Sequence, residues 1–197
     1  QVWRAYDNDL DEEVALKIFP EGKEEQSEFL TQLRREVKKT RALNHENIVN
    51  VYDIHAPKDG VCMLSMEYVE GMSLELYRQT HGPVAWQKLL PLIAQLCKVV
   101  DFAHSKKIVH RDIKPDNLMI SEEGQIKIAD LGLARRVDEK VGPSEEHVVF
   151  GTPHYIAPEQ VLGRPADFRS DIYSLGSTAY RMLAGTTPYQ APGIRDL

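Results

Sequence analysis

Residues 110–117 read HRDIKPDN and directly follow an apolar pair at 108–109. Five charged or titratable side chains and one amide occupy these eight positions, a density that a solvated turn does not need. Transfer of a phosphoryl group to a hydroxyl needs a carboxylate that orients the hydroxyl and accepts its proton, together with cations that neutralise the transferred group. Asp112 can supply the carboxylate and Lys114 one of the cations, while Asn117 offers an oxygen to a hard metal ion. The octet therefore indicates phosphoryl-transfer chemistry.

A second acidic position lies at the end of the run IKIAD, where Asp130 precedes Leu131 and Gly132. The turn SEEG at 121–124 predicts a hairpin that returns Asp130 toward Asn117. Two oxygen ligands at one end of a hairpin suit Mg²⁺, whose remaining positions would go to phosphates and water. An Asp-x-Gly triplet alone would be an ordinary turn, and its spacing from the octet makes it specific.

Two further candidates lie upstream, the first of them in the strand-like stretch VALK at 14–17. Because strand side chains alternate, Ala15 and Lys17 share one face, where a small residue admits a flat ring and the lysine reaches its phosphates. An ordinary strand with an exposed lysine is the alternative. Glu36, on a helix predicted over 24–43, neighbours an apolar stripe and could hold Lys17 in position. Its alternative is a solvated glutamate in a charged helix.

Composition limits the class of protein. The chain has 197 residues, 42% hydrophobic and 27% charged, which is typical of a soluble globular protein. Its net charge of −6 gives no reason to expect nucleic acid or an anionic membrane as a partner. Cys62 and Cys97 lie in separate apolar runs, which favours free thiols in a reducing compartment, the cytoplasm. The longest apolar stretch, 89–103, is too short and too polar to span a bilayer, whereas a membrane anchor beyond either end stays an open question.

Hydrophobic patterning divides the chain into two unlike halves. The first half alternates like β-strands over 1–19, in IVNVYDI and in VCMLSMEYV, with one amphipathic helix between them. The second half is mainly helical, with a long core helix from Trp86 to about Ser105 and a buried helix over 171–184. Residues 133–150 are predicted to form an exposed, charged loop. The pattern predicts an α+β fold with a small strand-rich lobe and a mainly helical lobe.

The motifs VALK, MEYVEG, HRDIKPDN, DLG, GTPHYIAPE (151–159) and DIYSLG (171–176), with the Glu36 helix between the first two, stand in the order found in eukaryotic-like protein kinases. The chain resembles that family over essentially its whole length. Lys114 within the octet resembles the serine/threonine branch, and DLGLAR with GTPHYIAPEQ is most similar to bacterial members. The resemblance implies the two-lobed protein-kinase-like fold, incomplete at both ends. It implies an N-terminal lobe over 1–69, a C-terminal lobe over 70–197 and an activation segment over 130–159.

The resemblance also implies an activity, transfer of the ATP γ-phosphate to serine or threonine hydroxyls of protein substrates, with ATP and Mg²⁺ as cofactors. Lys17 would contact the α- and β-phosphates and pair with Glu36. Asp112 would be the catalytic base, and Lys114 would lie beside the γ-phosphate. Two residues, Asn117 and Asp130, would hold Mg²⁺.

The remaining implied roles concern the adenine ring and the support of the site. Met66 would lie behind the adenine, and the ring would be enclosed by Val2, Ala15 and Met119 and bound by backbone groups of Glu67 and Val69. Thr152 would lie in the loop that receives the substrate hydroxyl. Structural support is implied for His110 as a packed histidine, Arg111 as a site that a phosphate could order, Glu159, and Asp171 as a brace for the catalytic loop.

Several departures from the family pattern bear on these expectations. By this resemblance the given sequence would lack the glycine-rich loop, because Gln1 would stand just after the last of its glycines, and it would stop before the final helices. Glu159 is therefore expected to lack its usual arginine. Leu131 replaces a phenylalanine, and Thr40 replaces an apolar residue that would tie its helix to the catalytic lobe. Ser144 is the only hydroxyl residue within 133–150, so control by phosphorylation is predicted to be weak or to use Ser144.

Two other functions stay open beside an active kinase. One is a catalytically impaired, kinase-like module that binds a nucleotide or a protein, and the other is a phosphotransferase for small molecules on a similar fold. The first would predict loss of Lys17, Asp112 or Asp130, and all three are present. The second is disfavoured by GTPHYIAPE, a segment that shapes a groove for a peptide.

Overall fold

The structure is a computed structural model that describes residues 1–9, 11–19, 26–41, 43–56, 61–130, 135–136 and 153–189, without the side chains at 26–29, 32, 36, 39 and 135–136. Its first part is a four-stranded antiparallel sheet with strand order β1-β2-β4-β3. The strands are β1 (Val2–Asp7), β2 (Glu12–Ile18), β3 (Val51–His55) and β4 (Met63–Glu67). Helix α1 (Gln26–Thr40) lies between β2 and β3 in the chain. Its stripe of Leu33 and Val37 packs with Cys62 and Leu64 in a small apolar core.

The second part is built around two long helices. Its helices are α2 (Leu74–His81), α3 (Trp86–Ser105), α4 (Pro158–Val161) and α5 (Phe168–Ala184), with a short 3₁₀ helix at Pro115–Asn117. Its strands are β5 (Gly71–Ser73), β6 (Ile108–Val109), β7 (Leu118–Ser121), β8 (Ile126–Ile128) and β9 (Arg135–Arg136). The larger core lies here and includes Leu96, Val99, Leu118, Ile126 and Met182. The α+β fold class predicted from the sequence is confirmed.

Local sequence explains where the helices begin and end. Ser73 caps α2 by accepting a hydrogen bond from Leu76 N–H. Asp167 caps α5, which ends at Gly185 in a left-handed conformation with φ of 75°. The core helix predicted from Trp86 to about Ser105 is confirmed, because its buried residues recur at helical spacing. The buried helix predicted over 171–184 begins three residues earlier, at Phe168, because Asp167 supplies the cap.

The two parts are joined by a segment that follows α1. Val49 N–H donates to Ile128 C=O at 3.0 Å, and Ile128 N–H donates to Asn47 C=O at 2.8 Å. The Asn47 amide also donates to Ile126 C=O at 2.6 Å from a buried position. These bonds hold the end of β8 against the segment between α1 and β3, and Asp130, two residues beyond β8, lies close to Lys17 of β2.

The prediction of a loop over 133–150 is wrong at one place that the structure describes. Residues Arg135–Arg136 form β9, which pairs antiparallel with β6 in the register Ile108 to Arg136 and Val109 to Arg135. This pairing is decided by tertiary packing and cannot be read from the charged side chains. The rest of that predicted loop lies outside the described residues. None of the described helices is long and apolar enough to cross a membrane.

Candidate active site

A cavity of about 730 Å³ lies between the sheet part and the helical part. Every residue expected at the nucleotide lines it, namely Val2, Ala15, Lys17, Met66, Glu67, Val69 and Met119. The polar side chains of Asp112, Asn117 and Asp130 line the same cavity. Val2 is 59% exposed and therefore stands at its mouth. The octet, VALK and Asp130, which are far apart in the sequence, thus meet at one site.

Lys17 reaches into this cavity from β2. Its ammonium nitrogen Nζ lies 2.6 Å from Oδ2 of Asp130, just beyond β8. Their side chains are 25% and 40% exposed, so the pair is open to a ligand. The side chain of Glu36, the partner predicted for Lys17, lies outside the described residues.

The loop at 110–117 holds the side chain of Asp112 in place. Oδ2 of Asp112 lies 2.8 Å from the Lys114 ammonium and accepts a hydrogen bond from the Asn117 amide at 3.0 Å. The same amide nitrogen donates to Asp112 C=O at 2.9 Å. Pro115 begins the 3₁₀ helix that turns Asn117 back toward Asp112. The side chain of Asp112 is only 10% exposed, so its orientation is set by these contacts.

The residues at the inner end of the cavity fit a Mg²⁺ ion. Ala129 N–H donates to Asn117 C=O at 2.8 Å, which brings Asp130 next to Asn117. Among the described residues, both hydrogen bonds of the Asn117 side-chain amide use its nitrogen, so the oxygen Oδ1 is left for a ligand. An amide oxygen and a carboxylate are the hard donors that Mg²⁺ prefers. No three His, Cys, Asp or Glu side chains in the described ranges converge as a metal site, so further ligands would come from phosphate and water.

Asp171, which lies in α5, holds the loop at 110–117 in place. It is 1% exposed, and its Oδ1 accepts from Arg111 N–H at 2.8 Å. Its Oδ2 accepts from His110 N–H at 2.9 Å and lies 2.8 Å from Nε2 of His104. The ring of His104 stacks on Phe168 at 4.5 Å. Arg111 has φ of 71°, a strained value for a residue with a Cβ, and buried hydrogen bonds of this kind hold such a conformation in place.

The remaining predicted residues are distributed around this core. His110 is 3% exposed, and its Nδ1 accepts from Asp112 N–H at 3.3 Å. Glu159, expected to lack a partner, accepts a hydrogen bond from Ser170 Oγ instead, because the first turn of α5 faces α4. Thr40 is 7% exposed and lines the cavity. Leu131, Ser144 and Thr152 lie outside the described residues.

No role for the side chain of Glu67 was predicted from the sequence. Its Oε1 lies 2.7 Å from the Lys127 ammonium, and its Oε2 accepts from Asn50 N–H at 3.1 Å and from the Asn50 amide at 3.2 Å. The contacts of Glu67 with Lys127 and Asn50 join β4 to β8. Lys127 stands between buried Ile126 and Ile128, so strand alternation could have shown that it faces away from the core.

A cluster of charged side chains joins α2 to α5. Hydrogen bonds from Arg78 and Arg181 lower the pKa of the Glu75 carboxyl to about 2. Arg78 and Arg181 also donate to Gly185 C=O. Burial raises the pKa of nearby Tyr155 to about 12, so its hydroxyl stays neutral at physiological pH.

Comparison with known proteins agrees with this geometry. Residues 1–196 match the protein kinase domain family, and the chain belongs to that family. It is 38% identical over 188 residues, 95% of its length, to the serine/threonine-protein kinase PrkC of Bacillus subtilis. It is 37% identical over 193 residues, 96% of its length, to the serine/threonine-protein kinase PknB of Mycolicibacterium smegmatis. The chain spans 29% and 31% of these relatives' lengths. The family predicted from the motifs is confirmed.

Proposed function

We propose that this chain is the catalytic region of a serine/threonine protein kinase, which transfers the γ-phosphoryl group of ATP to serine and threonine hydroxyls of protein substrates. The observation that carries the proposal is the meeting of Asp112, Asn117 and the Lys17–Asp130 pair on one cavity. Its two lobes would be residues 1–69 and 70–197, with the activation segment over 130–159.

The cavity suits a nucleotide at its apolar end. Neither backbone group of Val69 hydrogen-bonds to another residue in the described part of the chain, so both can serve a purine edge. Backbone groups of this kind are the usual polar anchors of an otherwise apolar pocket. The ring would be enclosed by Val2 and Ala15 on the sheet side and Met119 below, with Met66 behind it and Glu67 beside it.

The polar end suits the phosphates. Lys17 would bind the α- and β-phosphates, and its partner in this role would be Glu36. Oδ1 of Asn117 and the carboxylate of Asp130 would hold Mg²⁺. Bound there, Mg²⁺ would neutralise negative charge on the phosphates as the bond to the leaving oxygen breaks.

Asp112 would act on the substrate hydroxyl. Because Lys114 and Asn117 hold its Oδ2, the carboxylate keeps one orientation and can accept the hydroxyl proton as the oxygen bonds to phosphorus. Lys114 would also neutralise the γ-phosphate. Asp171 would keep the loop in place through the backbone of His110 and Arg111.

Protein substrates would be received by the segment that contains Thr152, with Glu159 supporting it from α4. We expect no nucleic acid partner, in keeping with the net charge of −6. We place the domain in the cytoplasm, where ATP is available, and its two cysteines, Cys62 and Cys97, are free thiols.

The proposal is tested by incubating the chain with γ-phosphate-labelled ATP, Mg²⁺ and casein, followed by acid hydrolysis. We expect label in phosphoserine and phosphothreonine and none when EDTA replaces Mg²⁺. Nucleotide binding without transfer would instead indicate a kinase-like binding module, and label in phosphotyrosine alone would contradict the serine/threonine assignment.

A further inference from the structure

Gln160 is a buried polar residue that lies outside the nucleotide cavity. It stands in α4 and is 5% exposed. Its backbone N–H donates to Ala157 C=O at 2.9 Å, and its side-chain Oε1 accepts from Ala157 N–H at 3.3 Å. These two bonds fix the first turn of α4 and the direction of the carboxamide. The Nε2 group then donates to Arg111 C=O at 3.3 Å, 49 residues away in the sequence.

The carbonyl that Gln160 contacts belongs to the peptide unit between Arg111 and Asp112. The N–H of the same peptide unit is that of Asp112, and it donates to Nδ1 of His110 at 3.3 Å. The plane of the peptide that carries Asp112 is therefore held at its oxygen by Gln160 and at its nitrogen by His110. Asp171 holds the two preceding peptides, through the N–H groups of His110 and Arg111.

The backbone at this point needs such a restraint. Arg111 has φ of 71°, a conformation that is strained for a residue with a side chain and persists only where its surroundings enforce it. Rotation of the peptide after Arg111 would turn the Cα–Cβ bond of Asp112 and move the carboxylate away from the hydroxyl that it serves. Small displacements of a catalytic group of this kind lower the rate strongly.

We propose that Gln160 is a positioning residue for Asp112. Through Gln160, the segment 153–160 is coupled to the loop at 110–117. This inference rests on the proposed kinase function. Gln160 does not touch the nucleotide cavity, so its loss should lower kcat and leave the KM for ATP unchanged.

Two substitutions at Gln160 distinguish the loss of the Nε2 donor from a change in the rest of the side chain. Gln160→Glu keeps the length and the acceptor for Ala157 N–H but removes the donor to Arg111 C=O. Gln160→Met keeps the length without either hydrogen bond, and it preserves the test if the buried charge of Gln160→Glu prevents folding. The matched control is Gln87→Glu, at an exposed position of α3.

We expect both Gln160 substitutions to lower kcat about tenfold, the rate change that corresponds to one lost hydrogen bond that holds Asp112 in place, with the KM for ATP within about twofold of the parent chain. Backbone hydrogen exchange over 108–113 should become faster in both and stay unchanged in Gln87→Glu. Values of kcat within twofold of the control, unchanged exchange, or a parallel rise in KM for ATP would each overturn the inference. If the unsubstituted chain transfers no phosphate, the proposed function fails, and hydrogen exchange alone still decides whether Gln160 holds the loop.

Discussion

The ammonium group of Lys17 and the carboxylate of Asp130 lie 2.6 Å apart although 113 residues separate them in the sequence. Lys17 comes from the sheet part and Asp130 from the end of the β7–β8 hairpin, so the contact depends on how the two parts are joined. Both side chains face one cavity and remain partly exposed. We infer that this cation and this anion would serve the two components of Mg-ATP, with Lys17 binding phosphate and Asp130 binding Mg²⁺.

Replacing Lys17 by methionine should abolish most phosphate transfer while leaving the fold intact. Removal of a cation that stabilises transferring phosphoryl groups lowers the rate by about hundredfold or more. Because the Lys17–Asp130 pair is partly exposed, its loss should change the free energy of unfolding by less than about 1 kcal/mol. Transfer rates and urea unfolding measure the two effects, with Lys98→Met on the exposed face of α3 as the control. A transfer rate within twofold of the control would show that Lys17 has no role in the reaction.

Asp171→Asn should destabilise the chain markedly. The buried carboxylate accepts hydrogen bonds from two backbone N–H groups and contacts His104, and an asparagine would direct its own N–H₂ toward one of these donors. We expect the free energy of unfolding to fall by about 3 kcal/mol. Urea denaturation measures it, with exposed Asp101→Asn expected to change stability by less than about 0.5 kcal/mol. Equal stability of the two variants would mean that the Asp171 contacts contribute nothing.

Glu75 should make the stability depend on acid pH. Its pKa is about 2 in the folded chain and 4.5 when unperturbed, so the unfolded state takes up the proton first as the pH falls. The stabilisation of the folded chain by the ionised Glu75 carboxylate is therefore fully present above pH 4.5 and is lost between pH 4.5 and pH 2. The pKa shift corresponds to about 3 kcal/mol. The difference in unfolding free energy between the parent chain and Glu75→Gln should shrink as the pH falls from 7 to 3.5. Exposed Glu122→Gln provides the comparison, and a difference that is constant over this range would exclude the proposed linkage.

The Glu67–Lys127 contact should be energetically coupled. The two side chains are 21% and 17% exposed, which reduces the solvent screening that weakens surface pairs. A double-mutant cycle with Glu67→Gln and Lys127→Met should give a coupling energy of about 1 kcal/mol in urea unfolding. Strictly additive effects of the two substitutions would mean that the Glu67–Lys127 contact adds no stability beyond the Asn50 hydrogen bonds of Glu67.

Sequence reasoning succeeded where the signal is local. The long helix from Trp86 follows from helical spacing of its apolar residues, and the hairpin before Asp130 follows from the SEEG turn. The roles of Asp112, Lys114 and Asn117 in phosphoryl transfer, which were inferred from residue type and spacing, stay predictions.

Contacts set by tertiary packing were out of reach. The pairing of β9 with β6 and the bond from Gln160 to Arg111 C=O join segments whose relative placement only the fold decides. The partner of Glu159 proved to be Ser170, since the first turn of α5 lies against α4. The contact of Glu67 with Lys127 was predictable only in part, because strand alternation gives the direction of the Lys127 side chain but not its partner.

The most direct test of the central claim compares phosphate transfer from labelled Mg-ATP to casein by the chain, by Asp112→Asn and by Asp101→Asn. We expect transfer by the first and third, and a loss of about a thousandfold or more in the second, because an amide cannot accept the hydroxyl proton. Equal transfer by the chain and by Asp112→Asn would contradict the assignment of Asp112 as the catalytic base and, with it, the mechanism derived from this site.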